Sequence, residues 1–193
     1  MPRKTAAFAL VLALAAGLAA CGTATPYQPN IRGQKVSGGF SEQRIEANRW
    51  RVTFAGNSLT SRETVEGYLL YRAAELTIQQ GADWFSIADR DTQTHVQTYV
   101  DSDPFYSPWY GPGYGFWRPS WRYYGGGYGW RSWDPYWGGP FWADHVDVRT
   151  VERYEAIAEI VTYKGAKPAN DPRAFDAHAV IENLGPRIQR PTP

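Results

Sequence analysis

The chain has 193 residues, 20 basic and 19 acidic side chains, a single Cys and 16% aromatic residues. So even a balance of charge offers no concentrated basic face, which sets nucleic-acid binding aside. One Cys excludes an internal disulfide framework and a thiolate metal site.

The first 20 residues have their own grammar. Arg3 and Lys4 precede an apolar run from Ala6 to Leu18 built almost entirely of Ala, Leu and Val. That run is short of the roughly 20 residues a membrane-spanning helix needs. A positive end, a short apolar middle and small residues before a cut mark a secretory signal. Leu18-Ala19-Ala20-Cys21 then looks like a bacterial lipobox, with cleavage after Ala20 and the one Cys at the position lipidation requires. Only a thiol offers the nucleophilic sulfur for thioether transfer, so Cys21 is expected to carry diacylglycerol and an N-acyl chain such as palmitate. Two or more chains anchor stably where one does not. The competing reading is an ordinary secretory signal followed by an incidental Cys. Gly22, rather than Asp, follows the Cys; in a Gram-negative host this implies the outer membrane, facing the periplasm. Removing residues 1–20 takes away Arg3 and Lys4, leaving 18 basic against 19 acidic residues and a formal charge of −1. Cofactors other than the covalent lipid are not expected.

Residues 21–37 are small, polar and Pro- and Gly-containing, and read as a flexible lipidated tether with a reach of roughly 20–25 Å. A single domain is expected over 38–188. Phe40 to Ile45 suits a first strand, and Trp50, Val52 and Phe54 alternate along a second. A helix follows, with Thr60 and Glu63 forming a capping-box pattern, Ser61 a second cap candidate, and Val65, Leu69, Ala73 and Leu76 on one stripe. Gly81 suits the left-handed stop of that helix. Arg72 and Glu75 are spaced to pair on its flank. Strands are expected over Trp84 to Ala88, over Thr92 to Val100, and from Val146 to Tyr163, where Ala156 to Val161 is apolar on both faces and therefore central. Asp171-Pro172 suggests the start of a short helix through Leu184, closed by Gly185-Pro186. Residues 189–193 read as a frayed tail. One main helix on a small, mostly antiparallel sheet is an α+β fold.

Several stretches carry a resemblance. Thr25-Pro-Tyr-Gln-Pro29, Gly39-Phe-Ser-Glu42, Arg51-Val-Thr-Phe-Ala-Gly-Asn57 and Tyr71-Arg-Ala-Ala-Glu-Leu-Thr77 resemble a family of uncharacterised proteobacterial lipoproteins, as do Ala174-Phe-Asp-Ala177 and Leu184-Gly-Pro-Arg-Ile188. The resemblance covers most of 21–100 and 144–188. It implies an envelope location and no particular activity.

Residues 104–142 are unlike the rest: 17 of these 39 residues are aromatic, 9 are Gly, 6 are Pro and none is aliphatic. Such Gly and Pro density resists helices and ladders, so a long loop is expected. Three roles compete for it. It can pack on its own aromatics without a ligand. It can be an interaction surface for peptidoglycan or another envelope protein, with Trp109, Trp117, Trp121, Trp130, Trp133 and Trp137 as contact residues. It can dip into the membrane interface, where Trp and Tyr are favoured.

Catalytic patterns are sparse. Gly56-Asn57-Ser58-Leu59-Thr60 lacks the second Gly of a nucleophile elbow, and no phosphate-binding or dinucleotide fingerprint is present. His95, His145 and His178 have no compact metal-ligand spacing. The expectation is a non-catalytic lipid-anchored envelope protein that uses the 104–142 segment as an interaction or structural module. The alternatives are a structural envelope protein with no specific ligand and a metal-dependent envelope enzyme.

Overall fold

The computed structural model describes residues 22–88, 114, 117, 119–125, 129–133 and 153–192. The expected signal segment, Cys21, the expected strand 92–100 and residues 146–152 lie outside the described residues.

Seven strands form one sheet: β1 (Gly39–Arg44), β2 (Arg49–Ala55), β3 (Trp84–Ile87), β4 (Ser120–Gly125), β5 (Gly129–Trp133), β6 (Arg153–Tyr163) and β7 (Ala174–Asp176). Helix α1 (Arg62–Gln79) and the shorter α2 (Ala177–Leu184) complete the α+β fold, followed by a 3-10 turn at Gly185–Arg187. All strand pairs are antiparallel.

The 11-residue β6 is the spine. One edge pairs with β2, from Ala55 opposite Glu155 to Arg49 opposite Val161. The other edge is shared: β3 pairs along 160–163 and β4 along 153–157. Strand alternation divides the residues of β6 between two environments. Ala156, Ala158 and Ile160 are buried beneath α1 with Val52, Phe54, Phe85 and Ile87. On the outer face Glu159 accepts from Arg51 at 2.6 Å and Arg49 at 2.7 Å, and Arg122 meets Glu155 at 3.4 Å.

Helix α1 lays Val65, Leu69, Ala73 and Leu76 onto that apolar face, all at most 2% exposed. Its N-cap is Ser61, whose hydroxyl accepts from Thr64 N–H. The Thr60–Glu63 capping box does not form, because the Thr60 hydroxyl instead accepts from Thr25 N–H at 2.8 Å and donates to Asn57 Oδ1 at 2.8 Å. At the other end Gly81, with φ of 68°, sends its N–H to Ile78 while Ala82 N–H reaches Thr77. Those two bonds make a Schellman stop, which needs the left-handed backbone that Gly adopts without strain.

Three expectations are corrected. The 21–37 segment is not a free tether over its described part: residues from Gly22 lie along the domain, Thr25 and Tyr27 are buried, and Pro29 makes a parallel bridge to Phe40. The tail from Gln189 is not frayed at its start, since Tyr27 N–H donates to Gln189 O at 2.7 Å and Gln189 N–H to the Tyr68 hydroxyl at 3.1 Å. The last helix starts at Ala177 with Asp176 as its cap, not at Asp171. Residues 174–176 are taken instead as an edge strand, with Phe175 opposite Phe85 and the two rings stacked at 5.4 Å in the core.

Candidate functional site

Two aromatic constructions flank the α1–sheet core. The first is a clasp made by both ends of the described chain. Tyr27 lies edge-on to Tyr68 and Tyr71, at 5.7 and 5.1 Å, and against Phe40 at 4.9 Å. Its hydroxyl donates to Glu75, which also accepts from Arg72 at 3.0 Å. Arg72 in turn reaches Glu42 on β1 at 2.8 Å and lies over the Phe40 ring at 4.3 Å. The expected Arg72–Glu75 pair therefore exists, but as part of a largely buried network rather than a helix-surface pair. Arg190 closes the clasp, over the rings of Tyr27 and Tyr71.

Electrostatics follow from that burial. Desolvation, and then the hydrogen bond to Glu75, push the Tyr27 hydroxyl far above the ordinary tyrosine value of 10.0. Burial also raises Tyr68, partly offset by the N–H of Gln189. For Arg72 burial works against the charged form, yet the Glu42 hydrogen bond and its acidic neighbours prevail and leave the guanidinium more firmly protonated. The clasp thus joins three phenols, the guanidinium groups of Arg72 and Arg190 and the carboxyl groups of Glu42 and Glu75 in one network.

The backbone makes room for the clasp at two glycines. Gly39, at φ of 130°, would place a Cβ 2.2 Å from Gln28 O, and Gly38, at φ of 97°, one 2.3 Å from Ala55 O. Any side chain there would push the 22–30 strip off β1.

The second construction is the β4–β5 hairpin, inside the segment whose composition argues against ladders. Ser120-Trp-Arg-Tyr-Tyr124 is free of both Gly and Pro, and it alternates. Trp121 and Tyr123 are buried, while Arg122 and Tyr124 are half-buried. That short period-two run was the available signal, obscured by the surrounding Gly and Pro. Trp121 stands edge-on to Tyr154 at 6.0 Å, with the Arg62 guanidinium 5.3 Å from its ring. On the opposite face Trp130 packs at 5.4 Å from Tyr124, with Arg122 4.7 Å from the Trp130 ring and Arg153 5.7 Å from the Tyr124 ring.

The six tryptophans expected as contact residues therefore separate. Trp121 and Trp117 are each 4% exposed, the latter edge-on to Phe85 and Phe175. Neither can offer its ring to a partner without leaving the core, so both are corrected from contact residues to packing residues. Trp130 is 45% exposed. Trp133 lies opposite Trp121 in the ladder, and its side chain is outside the described residues, as are Trp109 and Trp137. Ala20, Cys21, His95 and His145 are also outside them. His178 is exposed on α2. Among the described residues, no cluster of three or more His, Cys, Asp or Glu is positioned to hold a metal ion. No described helix is long and apolar enough to cross a membrane.

Asn57 and Ser58 lie in the turn from β2 to α1. Asn57 donates to Thr23 O at 2.7 Å and accepts from Leu59 N–H at 3.0 Å, which seats the N-terminal strip against that turn. No family model, curated protein or solved structure matches the chain.

Proposed function

We propose that the protein is a lipid-anchored, non-catalytic component of the cell envelope, held in the outer membrane and facing the periplasm, with its aromatic segment as the contact surface. One observation carries this reading: the single Cys of the chain stands directly after Leu18-Ala19-Ala20, behind a basic and then apolar leader. Within Gly56-Asn57-Ser58-Leu59-Thr60, the stretch nearest to a nucleophile elbow, Asn57 and Thr60 have structural partners. The aromatic segment contributes in two ways. Trp117 and Trp121 support a structural role for part of it, whereas Trp130 and Tyr124 leave ring surface for a neighbour such as peptidoglycan, an envelope protein or lipid.

The test is metabolic labelling of the full-length protein with palmitate in a Gram-negative host, followed by detergent phase partition. The native chain should take up label, shorten by its leader and enter the detergent phase. Cys21→Ser should take up none and stay unprocessed. Detergent-phase partition of a correctly shortened Cys21→Ser protein would overturn the lipid anchor.

A further inference from the structure

The clasp changes where the domain must stand relative to its lipid. Gly22 lies against the Leu59 side chain, where an added Cβ would come within 2.7 Å of Leu59 Cδ1. The next residues are fastened too: Thr23 O accepts from Asn57 at 2.7 Å and Thr25 N–H donates to Thr60 at 2.8 Å. Cys21 is the covalent neighbour of Gly22, about 3.8 Å away between Cα atoms. A lipid on Cys21 therefore leaves no spacer, and the β2–α1 turn sits at the headgroup level.

The sheet register brings the aromatic hairpin to the same end. Ala55, the last residue of β2, lies opposite Glu155, which lies opposite Arg122 of β4. These three residues form one row across adjacent strands, so β2 and β4 are about 10 Å apart there. β4 then runs on past that row, with Tyr124 opposite Arg153, and turns into β5, where Trp130 faces Tyr124. Leu59, 56% exposed, and Trp130, 45% exposed, thus occupy the end of the domain where the chain meets Cys21.

We infer that this end, formed by Leu59, Tyr124 and Trp130, is a membrane-contact face that seats the domain directly in the bilayer interface; the inference rests on lipidation of Cys21. Amphipathic rings with polar tips suit the headgroup layer, and that layer is only about 5–8 Å deep on each side of the hydrocarbon. Charge at this end is balanced among the described side chains: Arg62, Arg122 and Arg153 stand against Glu63, Glu66 and Glu155, with Arg62–Glu66 and Arg122–Glu155 paired at 3.5 and 3.4 Å. Contact is therefore made by ring and aliphatic surface, and anionic lipid is not required.

Lipidation leaves the chain with no free thiol, so an introduced Cys is a unique labelling point. Full-length Leu59→Cys, Trp130→Cys and Lys164→Cys proteins, the last just beyond the far end of β6, would be purified lipidated and labelled with an environment-sensitive fluorophore. They would then be placed in vesicles of phosphatidylethanolamine and phosphatidylglycerol, and in phosphatidylcholine alone. Labels at 59 and 130 should shift to the blue, lose most of their iodide quenching and be quenched by lipids labelled near the headgroup, equally in both vesicle types. The label at 164 should stay open to iodide. Vesicle flotation and the mass of the N-terminal lipopeptide, read on the same samples, separate the two ideas. Lipidated protein that floats while labels at 59 and 130 remain as open as that at 164 overturns the contact face alone. Shielding at 130 that appears only when peptidoglycan sacculi are added also overturns it, in favour of a glycan surface. Absence of lipid on Cys21 overturns both readings.

Discussion

The clasp and the hairpin are both aromatic, both drawn from Gly- and Pro-containing sequence, and differ in what surrounds the rings. In the clasp every described tyrosine hydroxyl meets a partner: Tyr27 meets Glu75, Tyr68 meets Gln189 and Tyr71 meets Arg190. Their rings can therefore be buried to 5% exposure or less, because none of the three hydroxyls is left without a partner. In the hairpin only one face is covered: Trp121 packs into the core against Tyr154 and Arg62, while no described element covers the side that carries Tyr124 and Trp130. Aromatic content alone thus says nothing about contact surface. The side of the sheet on which a ring falls decides it.

Breaking the two constructions separately would sharpen that contrast. The largest effect is expected inside the hairpin, at Trp121→Ala. Losing a ring packed between Tyr154 and Arg62 should cost about 3 kcal/mol of folding stability, read by chemical denaturation. A near-neutral result would mean that β4 does not belong to the cooperative unit.

Tyr27→Phe in the clasp should cost less at neutral pH, about 1 kcal/mol for one hydrogen bond. Its signature is alkaline. Folding raises the hydroxyl of Tyr27, and that of Tyr68, above the 10.0 of an ordinary tyrosine. The unfolded chain therefore releases these protons first, so the stabilisation is complete below pH 10 and falls as pH climbs past it. Unfolding free energy of the native protein should decline above pH 10, and Tyr27→Phe should flatten part of that decline. An unchanged slope would show that the clasp tyrosine titrates normally.

The smallest effect belongs to Trp130→Ala, within about 0.5 kcal/mol, since a half-exposed ring on the open face leaves little cavity. A loss as large as that of Trp121→Ala would place Trp130 in the packing, and remove it from any contact surface. Removing residues 104–142 as a block is a poorer probe of contact, because it also strips β4 from the edge of β6.

Much of the fold could be read from local pattern. The alternation Trp50-Val52-Phe54, the α1 stripe from Val65 to Leu76, Gly81 as a helix stop and the doubly apolar Ala156 to Val161 all act through nearest neighbours, so period and chain chemistry suffice to locate them. The misreadings share a cause. Residues 21–37 looked like a free coil because the partners that bury Tyr27 include Tyr68, Tyr71 and Glu75, more than 40 positions away. Thr60 looked like a helix cap because nothing local reveals that Thr25 would engage its hydroxyl. Asp171 read as the helix start because Pro172 marks one locally, while the pairing of Phe175 with Phe85 that shifts the start to Ala177 is long-range.

The sequence by itself determined the places of β1, β2, α1, β3 and the core of β6, the α+β class and the expectation of a lipidated Cys21, because these rest on periodicity, on capping chemistry and on a contiguous recognition segment. Only the tertiary structure decided that the strip from Gly22 lies fastened to the domain, that Trp121 is interior while Trp130 is open, and that Leu59 and the hairpin share one end of the sheet. Those outcomes depend on strand register and on side chains meeting across long stretches of chain. A one-residue slip in β4 would exchange its inner and outer rings.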